Sequence, residues 1–177
     1  RSCIMENITN IYDERMPRIQ TTPRYSAYVK IAEGCNNGCT FCIIPKVRGA
    51  FRSRTIESIK AEVERLAAAG VKEVVLIAQD TTDLNDGKPL LTTLLKELTT
   101  VEGIEWIRML YLYPTFFSDE LLDLIVNEPK LCKYVDIPLQ HVNNDILKQM
   151  NRRDDRNDIE RLLKKIRNAP THITLRT

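Results

Sequence analysis

Cys35, Cys39 and Cys42, three of the five cysteines in the chain, stand in a C-x3-C-x2-C spacing within the stretch Gly34-Cys35-Asn36-Asn37-Gly38-Cys39-Thr40-Phe41-Cys42. Thiolates this close together can ligate one metal centre, and cysteine is the usual ligand of iron–sulfur clusters. A cubane of four irons held by three cysteines leaves one iron without a protein ligand. An open coordination position is what makes a metal site reactive, by the logic that separates open catalytic zinc sites from closed structural ones. Gly34 and Gly38 allow a tight turn around such a centre, and Pro45 and Gly49 end the loop.

Two plainer readings compete. A structural zinc site wants a fourth ligand nearby, yet the next candidates, Cys132 and His141, lie far downstream, so zinc requires the fold to bring one of them back. A disulfide framework fits poorly, because the cysteine count is odd and the chain is large enough to build a core. At 177 residues and 43% hydrophobic, one domain is expected. With 26 basic and 24 acidic residues there is no global field to attract nucleic acid. No apolar run is long enough to span a bilayer, which excludes a membrane partner and points to a cytoplasmic protein with reduced thiols.

The elements that must position the cysteines follow from periodicity. Residues 1–23 lack periodicity and carry Pro17 and Pro23, so they read as a linker or arm, with Cys3 a linker thiol. A strand over 25–32 delivers the chain into the cysteine loop. Thr55 is a plausible N-cap for a helix bearing Ile56, Ile59, Val63, Leu66 and Ala67, which Gly70 stops. Residues 74–78 are a continuous apolar run, as in a parallel strand covered on both faces. Pro89 suits the first turn of a second helix with Leu91, Leu94, Leu95 and Leu98 on one side.

The rhythm continues with a strand over 106–111, a helix from Ser118 to Val126, a strand over 134–137, helices over 144–150 and 156–167, and a strand over 172–176. Strands alternating with helices imply parallel strands and right-handed crossovers. The cysteine loop, Gln79-Asp80-Thr81-Thr82, Tyr113-Pro114 and Pro138-Leu139-Gln140-His141 then each follow a strand, and Arg176 closes the fifth. All should crowd one rim, where βα loops build active sites. Arg152, Arg153, Arg156, Arg161, Lys164, Lys165 and Arg167 read most simply as a solvated helix face, with a ribosomal or RNA contact as the sharper alternative. Cys132 reads as a small half-buried residue.

The cysteine spacing, with Phe41 before the last cysteine, resembles the radical S-adenosylmethionine (SAM) enzymes. Tyr28-Val29-Lys30-Ile31-Ala32-Glu33-Gly34-Cys35, Cys42-Ile43-Ile44-Pro45 and Arg48-Gly49 are similar to the methylthiotransferases among them. Ile77-Ala78-Gln79-Asp80-Thr81-Thr82 and Asp136-Ile137-Pro138-Leu139-Gln140-His141 resemble the RimO branch, which modifies the β-carbon of an aspartate in a small-subunit ribosomal protein. The tRNA-modifying MiaB-type relatives read Gly-Gln-Asn and Gln-Ser-Gly at the corresponding places and are the alternative, as is a fragment that only binds cluster or SAM.

The resemblance implies an α/β fold, a partial (βα) barrel with helices outside. Here about five strands are expected where the family has six, within a core spanning 24–177. It implies a 4Fe–4S cluster on Cys35, Cys39 and Cys42, with SAM chelating the open iron. Electrons from a flavodoxin- or ferredoxin-like donor cleave SAM to a radical that takes hydrogen from an unactivated carbon. A second 4Fe–4S cluster would belong to a preceding domain, to which 1–23 is the arm. By the same resemblance Phe41 covers adenine or shapes the loop, and Gln79 and Asp80 contact the SAM amino group or ribose. Arg48 is favoured over Arg52 and Arg54 for a carboxylate, and Gln140 and His141 line the cavity as catalytic candidates.

Overall fold

A computed structural model describes residues 11–82 and 90–177. Its core strands are β1 (Ser26–Lys30), β4 (Glu73–Ile77), β5 (Trp106–Met109), β6 (Tyr134–Asp136) and β7 (Thr174–Arg176). Between β1 and β4 come the short strands β2 (Ala32–Glu33) and β3 (Arg52–Ser53), flanking helix α1 (Ile44–Arg48), and then α2 (Ile56–Ala68). Helices α3 (Leu90–Thr99), α4 (Asp119–Asn127), α5 (Asn144–Gln149) and α6 (Arg156–Arg167) follow.

β1, β4 and β5 pair in parallel in that spatial order, with Val29 opposite Leu76 and Leu76 opposite Met109. β6 and β7 form a second parallel pair. The two are joined by a parallel bridge between Ile107 and Leu131, and by the Leu112 N–H donating to the Asp136 carbonyl at 2.9 Å. The five expected strands are therefore all parallel, running from β1 to β7.

One face of this sheet carries the core. Ala27, Val29, Val74, Leu76, Ile107, Met109 and Val135 are fully buried on it. α2 adds Ile59, Val63 and Leu66, α4 adds Leu121, Leu122 and Ile125, and α6 adds Ile159, Leu162 and Ile166, the stripes that helical periodicity selects. Each such side chain contributes about 1.5–3 kcal/mol of burial. The opposite face is more polar: Tyr28 and Trp106 are exposed and Arg108 pairs there with Glu73 at 2.8 Å, around a buried Val75. β4 was expected to be covered on both faces, and over Val74, Val75 and Leu76 it is buried on both. Val74 and Leu76 lie in the core under the helices and Val75 is buried on the other face, while Ile77 at the end of the strand lines a cavity.

Helix boundaries follow their caps. Thr55 accepts from the Ser58 N–H at 3.2 Å, Ser118 from the Leu121 N–H at 3.1 Å, and Asp155 with Asp158 forms a reciprocal capping box. Gly70, at φ 92, ends the turn after α2. The expectations for Cys3 and Pro89 lie outside the described residues.

Residues 11–23 are irregular, yet they pack. The Arg18 guanidinium donates to Glu62 at 2.7 Å and to the Tyr28 carbonyl at 2.5 Å, and the Thr22 hydroxyl donates to the Ser26 carbonyl at 2.5 Å. Side chains of this segment thereby occupy outward carbonyls of edge strand β1, which would otherwise be open to pairing. Glu62 also holds Arg54 at 2.5 Å, with the two side chains 2% and 1% exposed. Among the described residues no helix is long and apolar enough to cross a membrane.

Candidate metal centre

The cysteine loop is closed at its base by a two-stranded frame. β2 and β3 pair antiparallel, Ala32 opposite Ser53 and Glu33 opposite Arg52, and the Cys35 N–H donates to the Gly49 carbonyl at 3.3 Å. Gly34 sits at φ 80, and a Cβ placed there would lie 2.2 Å from the Ala50 carbonyl oxygen, so no other residue fits this crossing. The Phe51 N–H donates to the Asn36 side-chain carbonyl at 3.0 Å, and the Cys42 N–H to the Cys39 carbonyl at 3.1 Å. Hairpin and α1 together fold the loop back over the end of β1. Neither was expected, because two-residue strands and a five-residue helix leave too little periodicity to read.

Cys35 is buried, and Cys39 and Cys42 are partly accessible. Among the described residues no three His, Cys, Asp or Glu side chains close to metal-holding geometry, so the three thiols share the loop without being gathered to a point. The surroundings of the sulfurs nonetheless suit a cluster. The Asn37 backbone N–H and side-chain amide both donate to Cys35 Sγ at 3.4 Å, and an Arg152 guanidinium nitrogen lies 3.8 Å from Cys39 Sγ. Donors aimed at sulfur stabilise thiolate charge, the state in which cysteine binds iron. Three thiols with such donors, on a partly open loop, fit a cluster with one unprotected iron.

The loop after β4 supports this arrangement from behind. Gln79 Oε1 accepts from the Gly34 N–H at 2.8 Å. Asp80, 2% exposed, accepts from Asn37 Nδ2 at 2.6 Å through one oxygen. Its other oxygen accepts from the Thr82 N–H at 3.0 Å and hydroxyl at 2.7 Å. Both residues were expected to contact SAM; the bonds seen here orient the cysteine loop. Gln79 also lines a cavity of about 380 Å³ with Tyr28, Lys30, Ile77, Leu110 and Tyr111, within the size range of small-ligand pockets.

The remaining candidates divide. Phe41 is 55% exposed on the loop, and Arg48 is 54% exposed with its nearest carboxylate, Glu33, at 3.8 Å. Arg54 is committed to Glu62, Ser58 and the Lys30 carbonyl, so it is unavailable to a ligand. Gln140, exposed after β6, adopts φ 69. His141 Nδ1 accepts from the Asn143 N–H at 2.9 Å, which places a proton, in the neutral ring, on Nε2. Tyr111 after β5 (φ 61) and Asn151 after α5 (φ 53) share Gln140's left-handed backbone. Such strain clusters at functional sites, and the Thr81 N–H, donating to the Tyr111 carbonyl at 3.1 Å, holds it in place.

A last wall had no precursor in local pattern. Arg152 was expected on a solvated face, but its side chain is 4% exposed. It lies over the Tyr113 ring at 4.0 Å and donates to the Pro138 carbonyl at 3.2 Å. Its neighbours Arg153, Arg161, Lys164 and Arg167 are exposed as expected. The partner that draws Arg152 inward, Asp154, is also buried, and burial pushes its carboxyl above the ordinary range. Asn37 and Arg152 are thus site residues that sequence reasoning missed. Asn37, lying between two cysteines of the motif, was the one of the two with a local signal. Cys132 is half-buried as expected, with its thiol pushed up by burial, and lines a separate cavity with Trp106 and Thr174.

Comparison with known proteins agrees with this geometry. The chain is 54% identical over 170 residues to a ribosomal protein uS12 methylthiotransferase RimO of Desulfitobacterium hafniense (strain Y51), covering 94% of this chain and 38% of that protein. It is 52% identical over 164 residues to the RimO of Clostridium botulinum (strain Loch Maree), covering 90% and 37%. The chain therefore spans less than half the length of these relatives.

Among solved structures, a radical S-adenosylmethionine methyltransferase, TsrM from Kitasatospora setae with cobalamin and a 4Fe–4S cluster bound, superposes with a TM-score of 0.69 at 20% identity, over 90% of this chain and 33% of that one. The cobalamin-dependent radical enzyme OxsB gives 0.65 at 15% identity, over 86% and 23%. Both establish the fold alone. A Radical SAM superfamily profile matches residues 29–176, from β1 to β7, and with the cysteine loop in place at the end of β1 this chain belongs to the Radical SAM superfamily.

Proposed function

We propose that this chain is the SAM-cleaving core of a methylthiotransferase acting on ribosomal protein uS12, at the β-carbon of an aspartate, in the cytoplasm. The carrying observation is the match to RimO proteins, 54% over 170 residues and 94% of this chain, with the three-cysteine loop inside it. In this reading residues 24–177 are the core and 1–23 the arm leading to it. The rest of the whole protein, about three-fifths of the relatives' length, supplies the second cluster and further substrate contacts. A flavodoxin- or ferredoxin-like donor and a ribosomal or RNA contact complete the partners.

Cys35, Cys39 and Cys42 would hold a 4Fe–4S cluster, with SAM at the open iron. Bound together, these groups supply hydrogen abstraction from an unactivated carbon. The chain's own residues do the positioning. Gln79 fixes the loop at Gly34, Asn37 on Asp80 directs two N–H donors at Cys35, and the cavity beside Gln79 and Tyr111 takes the nucleoside. Phe41, exposed over the loop, covers one side of that ligand, and Arg48 meets a carboxylate. Gln140 and His141 are the catalytic candidates on the substrate side, with His141 Nε2–H as the donor that its Asn143 contact leaves outward.

The test is anaerobic reconstitution, then incubation with SAM, dithionite and uS12, with mass spectrometry of the aspartate and of nucleoside products. The core alone should release deoxyadenosine, while the whole protein adds a methylthio mass. Deoxyadenosine formation by neither would refute the reading. Methylthio transfer by the whole protein to unmodified tRNA, and not to uS12, would refute the substrate.

A further inference from the structure

We propose that Arg152 is a positioning residue that sets the reduction potential of the cluster, acting through Cys39. The proposal rests on the cluster assignment above and goes beyond it by naming the charge that acts on that cluster.

The segment 149–152 is a clasp over the middle of the cysteine loop. The Thr40 N–H donates to the Met150 carbonyl at 3.1 Å, the Thr40 hydroxyl to the Gln149 carbonyl at 3.0 Å, and Asn151 Nδ2 to the Gly38 carbonyl at 2.8 Å. A Cβ on Gly38 would meet Asn151 Nδ2 at 2.9 Å, so the clasp closes tightly at that glycine. Asn151 adopts a left-handed backbone at φ 53 to make this contact, and the next residue, Arg152, turns inward beneath the loop. Nothing in a solvated helix face calls for that geometry.

The inward guanidinium is only partly compensated. One of its nitrogens faces Cys39 Sγ at 3.8 Å, another reaches the Pro138 carbonyl at 3.2 Å and Asp154 at a long 3.5 Å, and its buried Nε has no hydrogen-bond partner. Stacking on Tyr113 at 4.0 Å fixes the plane of the group. Cys35 receives neutral N–H donors from Asn37. A fixed, desolvated cation beside one ligand sulfur favours whichever state of the cluster carries more negative charge. That is the reduced state, and the interaction is strong because the site has little water to screen it. Arg152 therefore raises the potential and eases entry of the single electron that the donor supplies.

The experiment is an EPR-monitored potentiometric titration of the reconstituted full chain, with iron content measured on every sample. At fixed poise, R152M should lower the reduced-to-oxidised ratio about tenfold, equal to about 59 mV for a one-electron couple. R152K, which keeps the charge but loses the fork and the stacking, should recover part of that ratio. D154N removes the counter-charge with little change of shape, so the ratio should rise instead. Should R152M fail to hold iron, D154N decides the matter alone. A ratio unchanged in R152M at full iron content, or a fall in D154N, overturns the proposal. Wild-type chain without stoichiometric iron would refute the cluster assignment, a distinct failure read before any potential is measured.

Discussion

Replacing Asp80 separates two roles that its position allows. If the carboxylate serves the SAM ligand, its loss should spare the fold and the iron. The structure gives it other work: one oxygen takes Asn37 Nδ2 at 2.6 Å, and the other takes the Thr82 N–H at 3.0 Å and hydroxyl at 2.7 Å. Asp80, Asn37 and Thr82 are 2%, 6% and 2% exposed, so water cannot replace these bonds. D80A strands at least two buried donors, each costing about 1–3 kcal/mol, for a loss of roughly 2–6 kcal/mol. In a domain of this size 1 kcal/mol moves Tm by about 2–4 °C, so Tm should fall by at least about 4 °C. D80N preserves shape but sets its amide against one of the donors, and should cost about 1–3 kcal/mol. Because Asn37 then no longer aims at Cys35 Sγ, iron per chain after reconstitution should fall in the same order, wild type above D80N above D80A. Thermal unfolding of the apo chain and iron assay of the reconstituted chain provide the measurements. D80A with wild-type Tm and full iron, but weakened SAM binding, would refute the supporting role and leave Asp80 as a ligand contact.

Three further outcomes are expected. C35A, C39A and C42A should each abolish the reconstituted cluster, whereas C132A, altering a thiol in a separate cavity, should leave iron content unchanged; optical absorption and iron assay report both. Removing Glu62 as a charge (E62Q) leaves the Arg54 guanidinium, 1% exposed, without its counter-ion and should cost about 3–5 kcal/mol in denaturant unfolding, a loss an unaltered midpoint would contradict. Asp158 accepts from the Asp155 N–H in the α6 capping box, which holds its carboxyl below the ordinary 3.8, so it contributes stability above that pH that is lost as pH falls through its folded value. Buried Asp154 runs the other way, its contribution being full below 3.8 and lost as pH rises through its elevated folded value, so D158N and D154N should flatten opposite limbs of the stability–pH curve.

Much of this molecule is local and therefore legible in the chain. Thiol spacing names a shared metal centre because three ligands on one short loop need no tertiary fold to bring them near each other. Thr55, Ser118 and Asp155 announce helix starts, because a cap acts on N–H groups two or three residues away. The β–α alternation implied parallel strands, and hence that Gln79, Tyr113 and Gln140 follow strands on one rim.

Only the tertiary structure decided what each rim residue touches. Asp80 meets Asn37 across 43 positions, and Arg152 meets Cys39 across 113, distances at which no periodicity carries information. Arg54 and Arg152 look like their exposed neighbours in sequence, since a guanidinium reads as surface until a buried carboxylate draws it in. Local chemistry thus named the candidate ligands, whereas long-range packing assigned the charges, orientations and cavity around them.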